Sequence, residues 1–222
     1  MNALFITFEG LDGSGKSTHL KRTAEWLERQ GVDFETTREP GGTHLGQAIR
    51  GIFLDPERGH IDGRVEAMLM FADRRQHLVE MIEPTLAAGR HVLCDRFTDS
   101  TLAYQGAGRG VDREVLLAID RLATHHRRPD HTLLFDLPPE LAQQRGQSHA
   151  RRATAEVDRL DAEGLDFYRR VREGFLALAA AEPRRFTVID TSGPLEQAWQ
   201  LTRARLEELL VPSQPPPDQE GT

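Results

Sequence analysis

At 222 residues the chain can bury the core of one globular domain, and its charged, apolar and glycine fractions are those of that class. A formal net charge of −7 argues against a general nucleic-acid binder, so phosphate must be met by local arginines inside an acidic protein, which favours small anionic ligands. The single cysteine, Cys94, cannot form an internal disulfide, and with no signal peptide or membrane-length apolar run the expectation is a cytoplasmic protein without a membrane partner.

The apolar run Leu4-Phe5-Ile6-Thr7-Phe8 reads as a buried parallel strand, and a helical pattern follows through Leu20, Ala24 and Leu27 to a stop at Gly31. Between them Gly10-Leu11-Asp12-Gly13-Ser14-Gly15-Lys16-Ser17-Thr18 contains the phosphate-loop pattern G-x-x-x-x-G-K-[ST] in the strand, loop, helix context that it requires. Gly10, Gly13 and Gly15 let the backbone turn tightly enough for successive N–H groups to face phosphate oxygens, aided by the positive end of the helix. Lys16 is then expected on the β- and γ-phosphates of a nucleotide, and Ser17 on its Mg²⁺.

Asp33 to Thr37 reads as a second strand, delivering Arg38-Glu39-Pro40-Gly41-Gly42-Thr43 at the sheet edge where ligands collect. Arg38 is a phosphate-binding candidate there, with a salt bridge to Glu39 as the competing reading. Thr43 caps a helix through Leu45, Ile49, Ile52 and Phe53. A long helical pattern from Arg64 to Ala88 places Val65, Met68, Leu69, Ala72, Leu78, Ile82 and Leu86 on its apolar stripe, and the charges Asp73, Arg74 and Arg75 in its middle are expected on a solvated face, with a buried, functional face as the competing reading.

The strand His91 to Cys94 ends in Asp95-Arg96-Phe97, an aspartate placed to hold Mg²⁺ directly or through water. Cys94 reads as inert packing. From Ser100 to Gly110, hydroxyl, amide and aromatic groups are mixed in a way suited to holding a base. A helix from Asp112 to about His125 leads to the strand His131 to Asp136, broken by Pro138-Pro139. Glu140 to Arg145 starts a further helix. The segment from Gly146 to Thr154 is polar, carries Arg151 and Arg152, and is expected to be mobile. Helical pattern resumes through Val157, Leu165, Phe167, Val171 and Phe175, and the last strand and helix span Phe186 to Asp190 and Leu195 to Leu210. The apolar-free tail after Val211 reads as disordered.

Together, Phe8-Glu9-Gly10-Leu11-Asp12-Gly13-Ser14-Gly15-Lys16-Ser17, Thr37 to Thr43, Asp95-Arg96-Phe97 with Ser100, Ala103-Tyr104-Gln105-Gly106 and Asp158-Arg159-Leu160 resemble the thymidylate kinase family over residues 4–210. The resemblance implies a P-loop NTPase fold of class α/β, with a parallel sheet of about five strands flanked by helices. It also implies phosphorylation of dTMP with ATP and Mg²⁺, a homodimer, and a lid closing over ATP. The domain is then 1–211, with its lid at about 146–156 and a tail at 212–222.

Residue by residue, the resemblance puts ATP on the loop from Gly10 to Thr18 and on Arg145, with Ser17 and Asp95 as metal groups. Lys16, Arg96, Arg151 and Arg152 become the catalytic set. Arg38, Arg74 and Arg96 match groups around the acceptor phosphate. Asp12 matches the carboxylate that engages the dTMP sugar, and Ser100, Thr101, Tyr104 and Gln105 the groups near sugar and base, Tyr104 sitting where a 2′-hydroxyl would clash. Leu54 matches an apolar wall. Where the family often has an aromatic residue four positions before the helix arginine, this chain has Met70, followed by Phe71. Either Phe71 stacks on thymine, paired with Arg75 at the same spacing, or Met70 substitutes. The lid also looks longer than usual.

Two other readings compete: a kinase for another nucleoside monophosphate or a deoxynucleoside, and a P-loop switch that controls a partner. The switch lacks the Asn-Lys-x-Asp guanine motif.

Overall fold

The computed structural model describes residues 3–150 and 159–210. Arg151 and Arg152, the rest of the expected lid beyond Ala150, and the tail from Pro212 lie outside the described residues.

Five strands, β1 (Phe5–Gly10), β2 (Phe34–Arg38), β3 (His91–Asp95), β4 (His131–Asp136) and β5 (Phe186–Asp190), form one parallel sheet in the order β2-β3-β1-β4-β5. Every residue of β1 is buried, Thr7 and Glu9 included, which explains its predominantly apolar sequence, since helices cover both faces of a parallel sheet. The helices are α1 (Lys16–Gln30), α2 (His44–Leu54), α3 (Gly63–His77), α4 (Glu83–Ala87), α5 (Thr98–Thr101), α6 (Arg113–Thr124), α7 (Pro139–Ala150), α8 (Leu165–Ala181) and α9 (Leu195–Leu210). Trp26 and Leu27 of α1 and Ala198 and Leu206 of α9 pack against Phe8, Leu133 and Phe135, whereas Phe167, Val171 and Phe175 of α8 pack with Leu134 and Tyr104.

Register sets the site. Phe8 and Arg38 both lie beside Asp95, so the ends of β1, β2 and β3 coincide. Everything those three strands deliver therefore opens at one carboxyl edge of the sheet, where chain direction across the sheet reverses on either side of β1.

The long helix expected from Arg64 to Ala88 is interrupted by a π-helical turn at Leu78–Ile82 between α3 and α4. Pro84, which has no N–H to donate, stands directly after that turn. The apolar stripe expected on α3 is also displaced. Val65, Met68 and Ala72 are exposed, and the buried face consists of Glu66, Ala67, Met70, Phe71, Asp73, Arg74 and His77. Asp73 and Arg74 are thus not on a solvated face, although Arg75 is exposed. α7 runs to Ala150, past the point near Arg145 where helical pattern fades in the sequence.

Candidate active site

The loop between β1 and α1 is shaped by close approaches. Gly10 has φ 136°, and a Cβ there would lie 2.3 Å from the Phe135 carbonyl oxygen; at Gly13, φ 81°, it would lie 2.6 Å from that of Ala142. Only glycine meets both demands. No side chain caps α1 at Gly15, which leaves the first N–H groups of the helix for an anion. Lys16 is buried, with Nζ donating to the Leu11 carbonyl at 3.0 Å and 3.6 Å from Asp12 Oδ1. Burial, and then the nearby Arg96 charge, pull its pKa below the ordinary lysine value. Thr18 is exposed on the first turn of α1.

The Ser17 hydroxyl donates to Asp95 Oδ2 at 3.1 Å, joining the loop to the end of β3. Asp95 Oδ1 is buried without a hydrogen-bond partner. A hydroxyl and a half-satisfied carboxylate suit a hard cation with oxygen ligands. Arg38, exposed at the end of β2, borders this hollow with Ser17 and Asp95. It makes no salt bridge with Glu39, whose carboxylate is taken by Arg74 and His77.

Arg96 follows Asp95 in the left-handed region at φ 73°, an unusual conformation for arginine that turns its guanidinium back over the sheet edge. Nη1 donates to the Gly10 carbonyl at 3.1 Å and to Ser100 Oγ at 2.9 Å, and Nη2 to Asp12 Oδ1 at 2.7 Å and the Tyr104 hydroxyl at 3.3 Å. Partial loss of hydration would raise the Asp12 pKa, but the side chain is largely exposed, and the charges of Arg96 and Lys16 hold it well below the usual carboxylate range. Beneath them, fully buried Glu9 accepts from the Phe97 N–H at 2.8 Å and from Ser100 Oγ at 2.6 Å. Burial first, then the Asp99 charge, raise its pKa to about 8. The Cys94 thiol, pushed up by burial, donates to the Arg96 carbonyl at 3.0 Å.

A cleft of about 600 Å³, counting its open mouth, adjoins this edge. Of the residues singled out in the sequence, Asp12, Leu54, Arg74, Arg96, Ser100, Thr101, Tyr104 and Gln105 line it. Arg38 does not. Met70 lines it and Phe71 does not: Phe71 packs with Ala67, Leu102, Leu116 and Ala123, under the Arg74 guanidinium at 4.9 Å. Arg74 is buried, with Nε on Glu39 Oε2 at 2.8 Å and Nη2 on Thr101 Oγ1 at 3.1 Å, while Nη1 has no partner. Tyr104 is held edge-on between Phe167 and Phe175.

Glu39, Pro40, Arg50, Phe53, Phe97 and Leu160 also line the cleft and were not among the residues expected there. Arg50 and Phe53 stand four and one positions before Leu54 on α2, so the helical spacing of Leu54 was a usable signal for Arg50. Leu160 lines the cleft from the other side. Its neighbour Arg159 is buried, with Nη1 2.7 Å from Glu66 Oε1 and Nε on the Phe53 carbonyl, so it is a strut of the wall. Arg145 reaches the Ser192 carbonyl at 3.4 Å, on the helix whose Ala142 abuts Gly13.

Comparison with known proteins agrees with this geometry. The thymidylate kinase family model matches residues 8–201. A thymidylate kinase of Desulfovibrio desulfuricans is 47% identical over 209 residues, covering 93% of this chain and 96% of its own. One of Pseudomonas fluorescens is 45% identical over 210 residues, covering 95% and 98%. The crystal structure of thymidylate kinase from Ehrlichia chaffeensis superposes with a TM-score of 0.73 at 32% identity, covering 94% of this chain and 99% of that one.

Proposed function

The chain belongs to the thymidylate kinase family and phosphorylates dTMP in nucleotide biosynthesis, and from that premise we propose how its own residues do so. ATP, the family's phosphate donor, takes the loop from Gly10 to Thr18, and dTMP takes the cleft. The observation that carries this division is Arg96, which touches Gly10 and Asp12 of the loop with one guanidinium and Ser100 and Tyr104 of the cleft wall with the same group. A cation spanning both compartments is what two anions brought together require.

The phosphate of dTMP must enter at the Arg96 end, because that end adjoins the loop that holds the donor. The base then lies among Arg74, Thr101, Gln105 and Met70. This moves Arg74 from the acceptor phosphate, where the resemblance put it, to the base, where its unpartnered Nη1 can donate to a carbonyl. Arg50 is the further cation for the acceptor phosphate, and Asp12 engages the sugar. Arg38, beside Ser17 and Asp95, serves the donor side. Met70 takes the wall position that the family often gives to an aromatic residue.

A phosphate monoester with a second pKa near ~6 is mostly ionised at neutral pH, so no general base is needed. Lys16, leaving the Leu11 carbonyl for phosphate, and Arg96 meet the charge that develops between the reacting groups, while the cleft aligns the acceptor oxygen. Ser17 and Asp95 fit Mg²⁺, whose chemistry when bound is to neutralise the β- and γ-phosphate oxygens. Arg145, Arg151 and Arg152 complete the donor side in this reading.

The protein is read as a cytoplasmic homodimer with no nucleic-acid partner. No helix among the described residues is long and apolar enough to cross a membrane. The exposed apolar residues Val65 and Met68 of α3 and Val115 and Leu122 of α6, on two helices in contact, support pairing of two copies through that face. Sedimentation of the parent against Leu122→Glu tests it. The activity is tested by coupled ADP release with dTMP, dUMP and ribo-TMP as acceptors: dTMP should be preferred, and no dTMP-dependent ADP above the ATP-only background would sink the reading.

A further inference from the structure

Glu66 lies behind the cleft wall, fully buried, and does not itself line the cleft. Its Oε1 accepts from Arg109 Nη2 at 3.1 Å and from Arg159 Nη1 at 2.7 Å. Its Oε2 accepts from Arg109 Nε at 3.2 Å and from Gln105 Nε2 at 3.0 Å. A carboxylate can only accept, so the side of the Gln105 amide that meets it must be the NH₂. The amide oxygen is the end left over. It accepts no hydrogen bond among the described residues, on a side chain that is 2% exposed and lines the cleft.

We propose that Glu66 is a positioning residue for base selection: it fixes the Gln105 amide so that an acceptor faces the base, admitting pyrimidines with an N–H there and rejecting those with a lone pair. Thymine and uracil carry a ring N–H at N3. Cytosine carries a lone pair at the same place, so its approach opposes two acceptors in a buried site, where an unmatched polar group is costly. The inference rests on the reading that the cleft holds the base of dTMP. It adds a second point of discrimination to the Arg74 donor, set by a residue that never touches the substrate.

Glu66→Gln tests it. Its retained carbonyl oxygen can keep both contacts at Oε1, while the new NH₂ faces Gln105, which must turn its own oxygen inward and its NH₂ to the cleft. The ratio of kcat/KM for dTMP over dCMP should fall by about tenfold or more. The ratio for dTMP over dUMP, which share the N3–H, should stay within about twofold, whereas general damage to the cleft would not spare it selectively. A folded variant whose dTMP-to-dCMP ratio is unchanged, or falls only in step with dTMP-to-dUMP, overturns the proposal. If Glu66→Gln fails to fold because Arg109 Nε loses its acceptor, the pair Glu66→Gln with Arg109→Met removes that donor and reads the same ratios. A parent protein inactive on dTMP would instead overturn the reading of the cleft.

Discussion

Arg96 Nη2 stands 2.7 Å from Asp12 Oδ1, so the cation at the end of β3 is fastened to the phosphate loop by the one acidic side chain within that loop. The pairing keeps Asp12 ionised, its pKa lying well below the usual range despite the opposing effect of desolvation. It also fixes Asp12 in the cleft lining, with Oδ2 3.4 Å from the Tyr104 hydroxyl. An ionised carboxylate held there is a ready acceptor for a sugar hydroxyl. Asp12→Ala should therefore lower kcat/KM for dTMP by about tenfold or more, and for 3′-deoxythymidine monophosphate much less. Equal losses on both acceptors would show that Asp12 serves Arg96 alone.

Tyr104 combines a packed ring with a polar tip, which separates two contributions. Tyr104→Phe keeps the edge contacts to Phe167 and Phe175 and loses only the hydroxyl between Arg96 and Asp12. Tyr104→Ala opens the wall, at a stability cost of about 3–5 kcal/mol for an aromatic core truncation. The ratio of kcat/KM for ribo-TMP over dTMP should rise in the Ala variant and hold in the Phe variant. A ratio unmoved in both, with both activities measurable, would place sugar discrimination elsewhere.

The buried Glu9 predicts a pH signature. Burial, reinforced by Asp99, raises its pKa from 4.5 to about 8, so between those values the unfolded chain has lost the proton and the folded one keeps it. The folded state then binds more protons, and stability falls as pH rises through that window. Glu9→Gln keeps an amide oxygen for the Phe97 N–H and turns an NH₂ toward Ser100 Oγ, which then accepts instead of donating, and it has no ionisable group. Melting temperatures from pH 5 to 8 should show the variant gaining on the parent as pH rises. A constant difference would mean that Glu9 does not titrate in that window.

The parts of the fold visible in the sequence are those whose signal is local. β1 and β4 are rich in apolar residues because both faces are covered, and the glycine loop is recognisable because phosphate contact restricts its glycine, lysine and hydroxyl positions. α3 was misread for the opposite reason. Its buried Glu66, Asp73, Arg74 and His77 look solvated in sequence, and their partners Arg109, Gly41, Glu39, Thr101 and Thr37 are far away along the chain. Periodicity counts apolar residues and cannot see a charge neutralised from another element. The same blindness hid Glu9 and Glu66. Met70 over Phe71 was beyond pattern as well, since adjacent helix positions differ by about 100° and only packing selects between them.

Arg151 and Arg152 supply a test of the donor side that depends on sequence alone. Apart from Lys16, the loop from Gly10 to Ser17 has no cation, and Asp12 stands among its variable positions. Charge on the transferred phosphate must then be met from outside the loop. Arginine fingers contribute on the order of 10³–10⁵ in kcat. Replacing both residues by alanine should lower kcat by about a hundredfold or more, with a much smaller change in dTMP affinity. Arg159, tied to Glu66 and Phe53, is committed elsewhere and offers no substitute. A double variant with kcat within a few-fold of the parent would leave Arg145 as the next candidate.

Glu39 and Arg74 join the turn after β2 to the buried face of α3, and their side chains are each 2% exposed. A buried guanidinium deprived of its carboxylate keeps the desolvation cost and loses the compensating attraction, a loss of about 3–5 kcal/mol. Glu39 also binds His77 at 2.9 Å, so Glu39→Ala strands two side chains at once. Arg74→Met replaces a charge by an apolar chain of similar length over the Phe71 and Phe97 rings, and leaves Glu39 with His77 alone. Each single change should be strongly destabilising in urea titrations. The double change removes both charges together and should cost less than their sum by about 0.5–3 kcal/mol, the range for residues in one buried network. Activity would separate the roles: if the unpartnered Nη1 serves the base as proposed, Arg74→Met should raise KM for dTMP beyond what its stability explains. Additive stabilities within about 0.5 kcal/mol would mean that the two residues are held independently, and that the sequence lost nothing by failing to pair them.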